Sequence, residues 1–226
     1  NKMIENNIQN IVFSSTAAVY GMPEYIPVDE NHPMEPINFY GFTKLEIERL
    51  LHWYSELKGI RYAALRYFNA AGYDSNGRIT GLEKNPQNLL PIVMETAIGS
   101  RDTMQIFGDD YKTVDGTGIR DYIHVTDLAA AHLKAMEYVV GKNENMILNL
   151  ATGYGYSVLG VIKQAREITG EAISYEVTGR RPGDPAQLIA VSKLAKELIG
   201  WECEYSDMKT ILESMWNVYK LEQSVH

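Results

Sequence analysis

A tyrosine and a lysine stand four residues apart in the segment Tyr40-Gly41-Phe42-Thr43-Lys44. Residues at this spacing share one face of a helix, so the phenol and the ammonium are expected side by side. A neutral phenol is a poor base near neutral pH, and a nearby positive charge favours its ionised form. Such a pair can remove a proton from a substrate hydroxyl. The spacing alone is not specific to catalysis, because many such pairs lie on a solvated helix face.

Three hydroxyl residues, Ser14, Ser15 and Thr16, stand at the end of a predicted strand over residues 8–15, which reads as covered on both faces. Ligands of open parallel sheets bind at the carboxyl ends of the strands. The three hydroxyls are therefore expected at a ligand site. A polar turn that caps the next segment is the alternative, and for Ser14 taken alone it is the better one.

Alternating helices and strands must position these groups. A helix over residues 40–58, ended by Gly59, separates the first strand from a second strand over residues 61–69, which predicts a parallel crossover. Further helices are predicted over residues 89–99, 127–140 with Thr126 as N-cap, 157–169, 192–199 and 207–221, and further strands over 104–107, 122–125, 146–150 and 173–177. The fold class is α/β.

Composition excludes several classes of protein. The 226 residues are 45% hydrophobic with no apolar run near bilayer length, so neither a membrane span nor a membrane partner is expected. The net charge of −8 disfavours a nucleic-acid partner. The single cysteine, Cys203, allows no internal disulfide and suits a reducing, cytoplasmic compartment. No metal is expected, since metal-ligand spacing is lacking among His32, His52, His124, His132 and His226.

Six motifs in order carry a resemblance that spans essentially the whole chain. They are Ser14-Ser15-Thr16, Tyr40-x-x-x-Lys44, the run from Leu65 to Asn69, Asn88-Leu89 with the run from Ile106 to Tyr111, the run from Gly116 to Val125, and the run from Arg180 to Asp184. Together they resemble the extended short-chain dehydrogenase/reductases, and within them the UDP-glucose 4-epimerase family. The resemblance implies the C-terminal part of a Rossmann-like doubly wound parallel sheet, plus a smaller α/β substrate-binding lobe.

The resemblance also implies a mechanism with NAD as cofactor and a UDP-sugar as substrate. Tyr40 would be the general acid/base at the sugar 4-hydroxyl, Lys44 would hold Tyr40 ionised and bond the nicotinamide ribose, and Thr16 would bridge to sugar O4. A hydride would pass from C4 to NAD, the 4-keto sugar would rotate, and the hydride would return to its other face. UDP-glucose and UDP-galactose would thereby be interconverted.

The family's binding residues map onto further positions of this chain. Cofactor contacts are implied for Tyr40 and Lys44 and for Ser14, Ser15, Tyr67 and Phe68, although core packing is an equal alternative for the last two. Within the substrate site, Arg120 and Arg181 would clamp the pyrophosphate, because guanidinium groups match phosphate oxygens. The other substrate residues implied, beside Thr16, are Asn69, Asn88, Leu89, Gln105, Phe107, Asp184 and Leu188.

The chain also departs from the family pattern, because it contains no glycine-rich strand-turn-helix of the kind that holds a dinucleotide pyrophosphate. We expect that a preceding half-domain of about 100 residues is missing, and that the chain alone binds NAD poorly and is inactive. Residues 1–70 would be the C-terminal half of the NAD-binding domain. Residues 71–226 would mainly form the nucleotide-sugar lobe, with about 110–140 returning to the first domain. The full-length protein is expected to be a homodimer, joined through the helices at 40–58 or 89–99.

Three alternatives remain open. A nucleotide-sugar 4,6-dehydratase would need acidic residues after Thr16, where this chain has Ala17 and Ala18. A 4-epimerase of UDP-N-acetylglucosamine or another UDP-sugar is harder to exclude, since Leu188 is intermediate in size at a position that gates an N-acetyl group in the family. The third alternative is a non-catalytic or truncated protein of the same fold.

Overall fold

A computed structural model of the chain describes residues 2–223, so Asn1 and His226 lie outside the described part. No helix within 2–223 combines the length and the apolar character needed to cross a bilayer. The helices are α1 (Lys2–Glu5), α2 (Phe39–Lys58), α3 (Leu89–Ala97), α4 (Val125–Lys142), α5 (Val158–Thr169), α6 (Lys193–Ile199) and α7 (Met208–Gln223). The strands are β1 (Asn10–Thr16), β2 (Arg61–Tyr67), β3 (Asn69–Ala71), β4 (Met104–Phe107), β5 (Ile119–Arg120), β6 (Tyr122–His124), β7 (Met146–Leu150), β8 (Tyr156–Ser157), β9 (Tyr175–Thr178) and β10 (Gln187–Leu188).

The main sheet has three parallel strands in the order β1-β2-β7. Ser14 lies opposite Leu65, and Thr16 lies opposite Tyr67. The carboxyl ends of β1 and β2 therefore meet at one edge of the sheet. The predicted parallel crossover through α2 is present.

Helices α2 and α4 cover opposite faces of this sheet. Successive side chains of a strand point to opposite faces. The Ser14 side chain contacts His132 of α4, and the next side chain, Ser15, contacts Glu48 of α2. A parallel sheet with a helix on each face is the α/β arrangement that the sequence predicts, and the fold class is confirmed.

A second core packs α3, α5 and α7 together, apart from the main sheet. Helices α3, α5 and α7 pack around a buried cluster that includes Leu90, Met94, Val161 and Ile211. Strands β4 and β9 pair beside it in parallel, and β10, β5 and β8 form a small mixed sheet. The sequence predicted that the chain returns to the first domain at about residues 110–140. Strand β7 pairs with β2, so the main sheet also includes residues up to Leu150. The division into two domains stays a prediction.

Several predicted boundaries are wrong for identifiable reasons. The first strand runs from Asn10 to Thr16 rather than over residues 8–15, because the Ile8 amide donates to the Met3 carbonyl oxygen at 2.9 Å instead of joining the sheet. The second strand stops at Tyr67, and Asn69 begins the separate strand β3, which pairs with β6. Thr126 is not the N-cap of α4. The helix begins at Val125, two residues earlier than predicted, and His124 is its N-cap, because the Nδ1 atom of His124 accepts a hydrogen bond from the Thr126 amide at 3.1 Å.

Candidate active site

The Tyr40–Lys44 pair lies on the first turns of α2, as the sequence predicts. The helix begins after Asn38, whose side chain accepts a hydrogen bond from the Gly41 amide at 2.8 Å. The Lys44 Nζ atom lies 5.6 Å from the centroid of the Tyr40 ring. It also donates a hydrogen bond to the Ser14 carbonyl oxygen at 2.9 Å. The ammonium thus connects the phenol-bearing helix to the carboxyl end of β1, while 54% of Tyr40 stays exposed.

The three hydroxyls at the end of β1 do not share one environment. Ser14 Oγ lies 2.9 Å from His132 Nε2, and Ser15 Oγ donates to the Glu48 carboxylate inside the core. Thr16 Oγ1 accepts a hydrogen bond from the Ala18 amide at 3.2 Å. The sequence placed all three hydroxyls at the ligand edge, but strand alternation directs that of Ser15 into the core. Its side chain is therefore not placed to reach a cofactor.

A cavity of about 260 Å³ collects most of the predicted substrate residues. It opens between the N-terminus of α3, strand β4 and the segment around Arg181. The predicted residues that line it are Asn69, Asn88, Leu89, Gln105, Phe107, Arg120, Arg181 and Asp184. These positions are spread over more than 110 residues of sequence, so folding has brought separate motifs to one site.

Two arginines supply the positive charge of this cavity. Arg120 forms a close ion pair with Asp184 and also donates to the carbonyl oxygens of Ile119 and Pro185, at 2.7 Å each. Three of the five N–H donors of its guanidinium are thereby used. The Arg181 guanidinium stacks over the Phe107 ring, with its carbon 3.7 Å from the ring centroid. Two pre-positioned cations suit an anionic group of the phosphate type.

A second cavity of about 240 Å³ adjoins the first, since Asn69, Arg120 and Asp184 line both. Three more predicted residues, Thr16, Phe68 and Leu188, line it. Of the remaining predicted residues, Tyr67 packs edge-on against the ring of His132, 6.2 Å between centroids. The carboxyl ends of β1 and β2 are thus joined to the arginine-bearing cavity.

Two asparagines that line these cavities have side-chain atoms available to hydrogen-bond a ligand. Asn69 Nδ2 donates to the Asp121 carbonyl oxygen at 2.8 Å, which fixes the side chain and leaves its Oδ1 as an acceptor. Asn88 is the N-cap residue of α3, yet its side chain makes no capping hydrogen bond. Its amide can therefore serve a ligand at the start of that helix.

Sequence reasoning missed a buried polar network beside the site. Arg66 on β2 donates to the Glu48 carboxylate through Nε at 3.0 Å and Nη2 at 2.5 Å. Its Nη1 donates to the Tyr20 hydroxyl at 3.0 Å, and that hydroxyl donates to Asn149 Oδ1 at 2.5 Å. Burial raises the pKa of Tyr20 to about 12, so Tyr20 stays a neutral donor. The sequence signal was Arg66 itself, which directly follows the run Tyr62-Ala63-Ala64-Leu65 of a predicted buried strand, since a buried charge needs a partner.

Within 2–223 there is no group of three or more His, Cys, Asp or Glu side chains that could hold a metal ion. A larger depression of about 760 Å³ lies beside Thr152 and Cys203, but none of the predicted site residues line it. Burial raises the pKa of the Cys203 thiol to about 12, which makes that cysteine a poor nucleophile.

The fold and the site together define a class of protein: an α/β protein with a Tyr-Lys pair at the carboxyl edge of a parallel sheet and a cationic cavity next to it. The sequence profile of the NAD dependent epimerase/dehydratase family matches residues 2–151. The chain belongs to that family, and the resemblance inferred from its motifs is confirmed.

Relatives and solved structures give a finer comparison. The chain is 50% identical over 220 residues to a UDP-glucose 4-epimerase of Halalkalibacterium halodurans, covering 97% of this chain and 66% of the relative. It matches the crystal structure of UDP-glucose 4-epimerase from Brucella ovis in complex with NAD, with a TM-score of 0.93, 41% identity and coverage of 96% and 67%. It also matches the UDP-Glc/GlcNAc 4-epimerase of Campylobacter jejuni, with a TM-score of 0.80, 37% identity and coverage of 97% and 67%. The chain therefore spans about two thirds of the length of these relatives.

Proposed function

We propose that the protein carrying this chain is an NAD-dependent UDP-sugar 4-epimerase that interconverts UDP-glucose and UDP-galactose. The observation that carries the proposal is the pair of adjoining cavities, which together are lined by all ten residues predicted to bind the substrate. Relatives named UDP-glucose 4-epimerase, at 50% and 43% identity, support the same activity.

The residues present fit the nicotinamide end of NAD. An ammonium has three donors, and the Ser14 carbonyl takes one from Lys44, so a ribose hydroxyl can take another. The half-exposed ring of Tyr40 lies beside it, and Phe68 lines the adjoining cavity. The chemistry that NAD supplies when bound is the acceptance and return of a hydride at sugar C4. Weak NAD binding by residues 1–226 alone stays a prediction.

The chain's own residues move the proton and hold the sugar nucleotide. Tyr40 takes the proton of the 4-hydroxyl while the hydride leaves C4, and it returns a proton when the hydride comes back. Lys44 places its positive charge beside this phenol, with Nζ 5.6 Å from the ring centroid. Thr16, at the wall of the second cavity, hydrogen-bonds to sugar O4. The pyrophosphate lies between Arg120 and Arg181, with the uridine against Phe107.

The geometry favours an epimerase over a 4,6-dehydratase. Elimination of water needs an acid and a base beside the sugar, and the residues that follow Thr16 along the wall of the second cavity are Ala17 and Ala18. Alanine cannot transfer a proton. A UDP-N-acetylglucosamine substrate stays an alternative, because Leu188 lines this cavity and a relative from Campylobacter jejuni is named for both sugars.

A homodimer is part of this proposal. Helix α2 exposes an apolar stripe formed by Leu50, Trp53 and Leu57, with 52%, 61% and 70% of each residue accessible. Their spacing places them on one side of the helix. By contrast, α3 packs against α5 and α7 and has no exposed residue, and the contribution predicted for the 89–99 helix stays a prediction. Sedimentation of the full-length protein tests the dimer.

A coupled assay tests the activity itself. Full-length protein is supplied with NAD and UDP-galactose, and UDP-glucose is detected through an NAD-linked dehydrogenase specific for it. The proposal expects turnover with no net consumption of NAD by the epimerase. Conversion of UDP-N-acetylgalactosamine to UDP-N-acetylglucosamine, followed by chromatography of the two UDP-sugars, separates the two substrate classes. No turnover of any UDP-sugar by protein that binds UDP contradicts the proposal.

A further inference from the structure

Helix α2 is attached to the end of β1 by two hydrogen bonds from consecutive turns. Lys44 donates to the carbonyl oxygen of Ser14, and Glu48, one turn further, accepts from the hydroxyl of Ser15. Tyr40, Lys44 and Glu48 are spaced by four residues, so they share one side of the helix. The same side that presents the phenol and the ammonium is thus fastened to β1.

The second attachment runs through a buried ion pair. Glu48 and Arg66 have side chains only 4% and 2% exposed, and the guanidinium meets both carboxylate oxygens. A two-point contact between planar groups fixes orientation as well as distance. Arg66 lies on β2, directly opposite Ser15 in the register of the sheet. Glu48 therefore holds α2 against both strands whose carboxyl ends border the site.

The far side of Arg66 is also fixed. Its Nη1 donates to Tyr20, and Tyr20 donates to Asn149 on β7. Arg66 thus cannot turn toward another partner without leaving these groups unsatisfied in the core, which is costly. The network joins all three strands of the main sheet to one point on α2.

We infer that Glu48 and Arg66 are positioning residues. They set the rotation of α2 about its axis and its position against β1 and β2, and they thereby place Tyr40 and Lys44 for proton transfer at the sugar 4-hydroxyl. This inference rests on the proposed function. It explains why a buried charge pair lies one helical turn from Lys44. A catalytic group that is displaced by about 1 Å can slow a reaction roughly 100-fold. Loss of the Glu48–Arg66 contact is therefore expected to lower kcat.

Variants at Glu48 and Ser15 test the inference in the full-length protein. Glu48→Asp keeps the charge but shortens the side chain, so it cannot reach Arg66 and Ser15 without moving α2. We expect kcat to fall roughly 100-fold, with UDP affinity unchanged, because the arginine-bearing cavity lies on other elements. Ser15→Ala removes only the link to β1 and should lower kcat less. Glu48→Gln should lose both stability and activity, since it leaves Arg66 buried and unpaired.

Asp127→Asn is the matched control for loss of a buried carboxylate. Asp127 is buried and accepts hydrogen bonds from the amides of Glu204 and Tyr205 and from the hydroxyl of Ser206. Its variant should lower the melting temperature and leave kcat unchanged. If Glu48→Asp folds, binds UDP and retains the wild-type kcat, the inference is overturned.

A crystal structure of the Glu48→Asp variant separates this inference from the proposed function. An opening of the 2.9 Å contact between Lys44 Nζ and the Ser14 carbonyl supports the positioning role, even if wild-type protein turns over no UDP-sugar. An unchanged contact, with Tyr40 in place, rejects the positioning role, even if the epimerase activity is real.

Discussion

The ammonium of Lys44 donates a 2.9 Å hydrogen bond to the main-chain carbonyl of Ser14, and this contact connects α2 to the carboxyl end of β1. The same ammonium lies 4.9 Å from the centroid of the Phe13 ring and 5.6 Å from that of Tyr40. One cation therefore has a structural partner on the strand and, in the proposed mechanism, the general acid/base Tyr40 as its neighbour on the helix.

Lys44→Met removes the charge and the donor while keeping the length of the side chain. We expect kcat for UDP-galactose to fall roughly 100-fold or more, because the general acid/base Tyr40 loses the positive charge beside it. Lys58→Met, in the last turn of the same helix, is the control and should retain full activity. Equal kcat values for Lys44→Met and wild type would remove the ammonium from the mechanism.

Arg181 and Arg180 are adjacent in sequence but differ in environment. Arg181 stacks on Phe107 at the cavity, whereas Arg180 pairs with exposed Asp110. Arg181→Met should weaken UDP binding roughly 10- to 100-fold, the usual value of a charge-assisted hydrogen bond. Arg180→Met should leave it unchanged. Titration calorimetry with UDP measures both, and equal losses would show that Arg181 has no specific role.

Leu188 provides a test of substrate choice. It lines the second cavity with Thr16 and Phe68. Leu188→Tyr should lower turnover of UDP-N-acetylgalactosamine relative to UDP-galactose, because the larger ring occupies space that an N-acetyl group needs. Leu188→Ala should move the ratio the other way. The ratio of kcat/KM for the two sugars is the measurement, and a ratio that neither variant changes places the N-acetyl group elsewhere.

Asp121 makes stability depend on pH. Burial raises the pKa of Asp121 from 3.8 to about 6, although it accepts hydrogen bonds from Thr152 and Gly153. The folded state holds this proton more tightly, so the stabilisation is complete below the unfolded pKa and is lost as pH rises through about 6. A shift of about two units corresponds to about 3 kcal/mol. Urea titrations give the free energy of unfolding of wild type and of Asp121→Asn at each pH. The difference, wild type minus variant, should decrease by about 3 kcal/mol between about pH 4 and pH 6.5. A constant difference would contradict the assignment.

The sequence predicted the elements through local patterns, and it predicted most of the cavity through the family resemblance. Hydrophobic periodicity located α2 and β7, whereas the six motifs shared with the family implied the residues that line the first cavity. The Glu48–Arg66 pair could not be predicted in the same way. Arg66 needed an acidic partner, but only the tertiary fold decides which of the many acidic residues faces it. The direction of Ser15 was missed for a different reason, since strand alternation sends neighbouring hydroxyls to opposite faces.

The Tyr40→Phe variant of the full-length protein tests the central claim most directly. The change removes one oxygen atom and leaves the ring, Lys44 and both cavities in place. With NAD present, the coupled UDP-galactose assay should show kcat lowered roughly 100- to 10,000-fold, the usual contribution of a general acid/base, while calorimetry shows wild-type affinity for UDP. A Tyr40→Phe enzyme that binds UDP normally and turns over UDP-galactose at the wild-type rate would contradict the account.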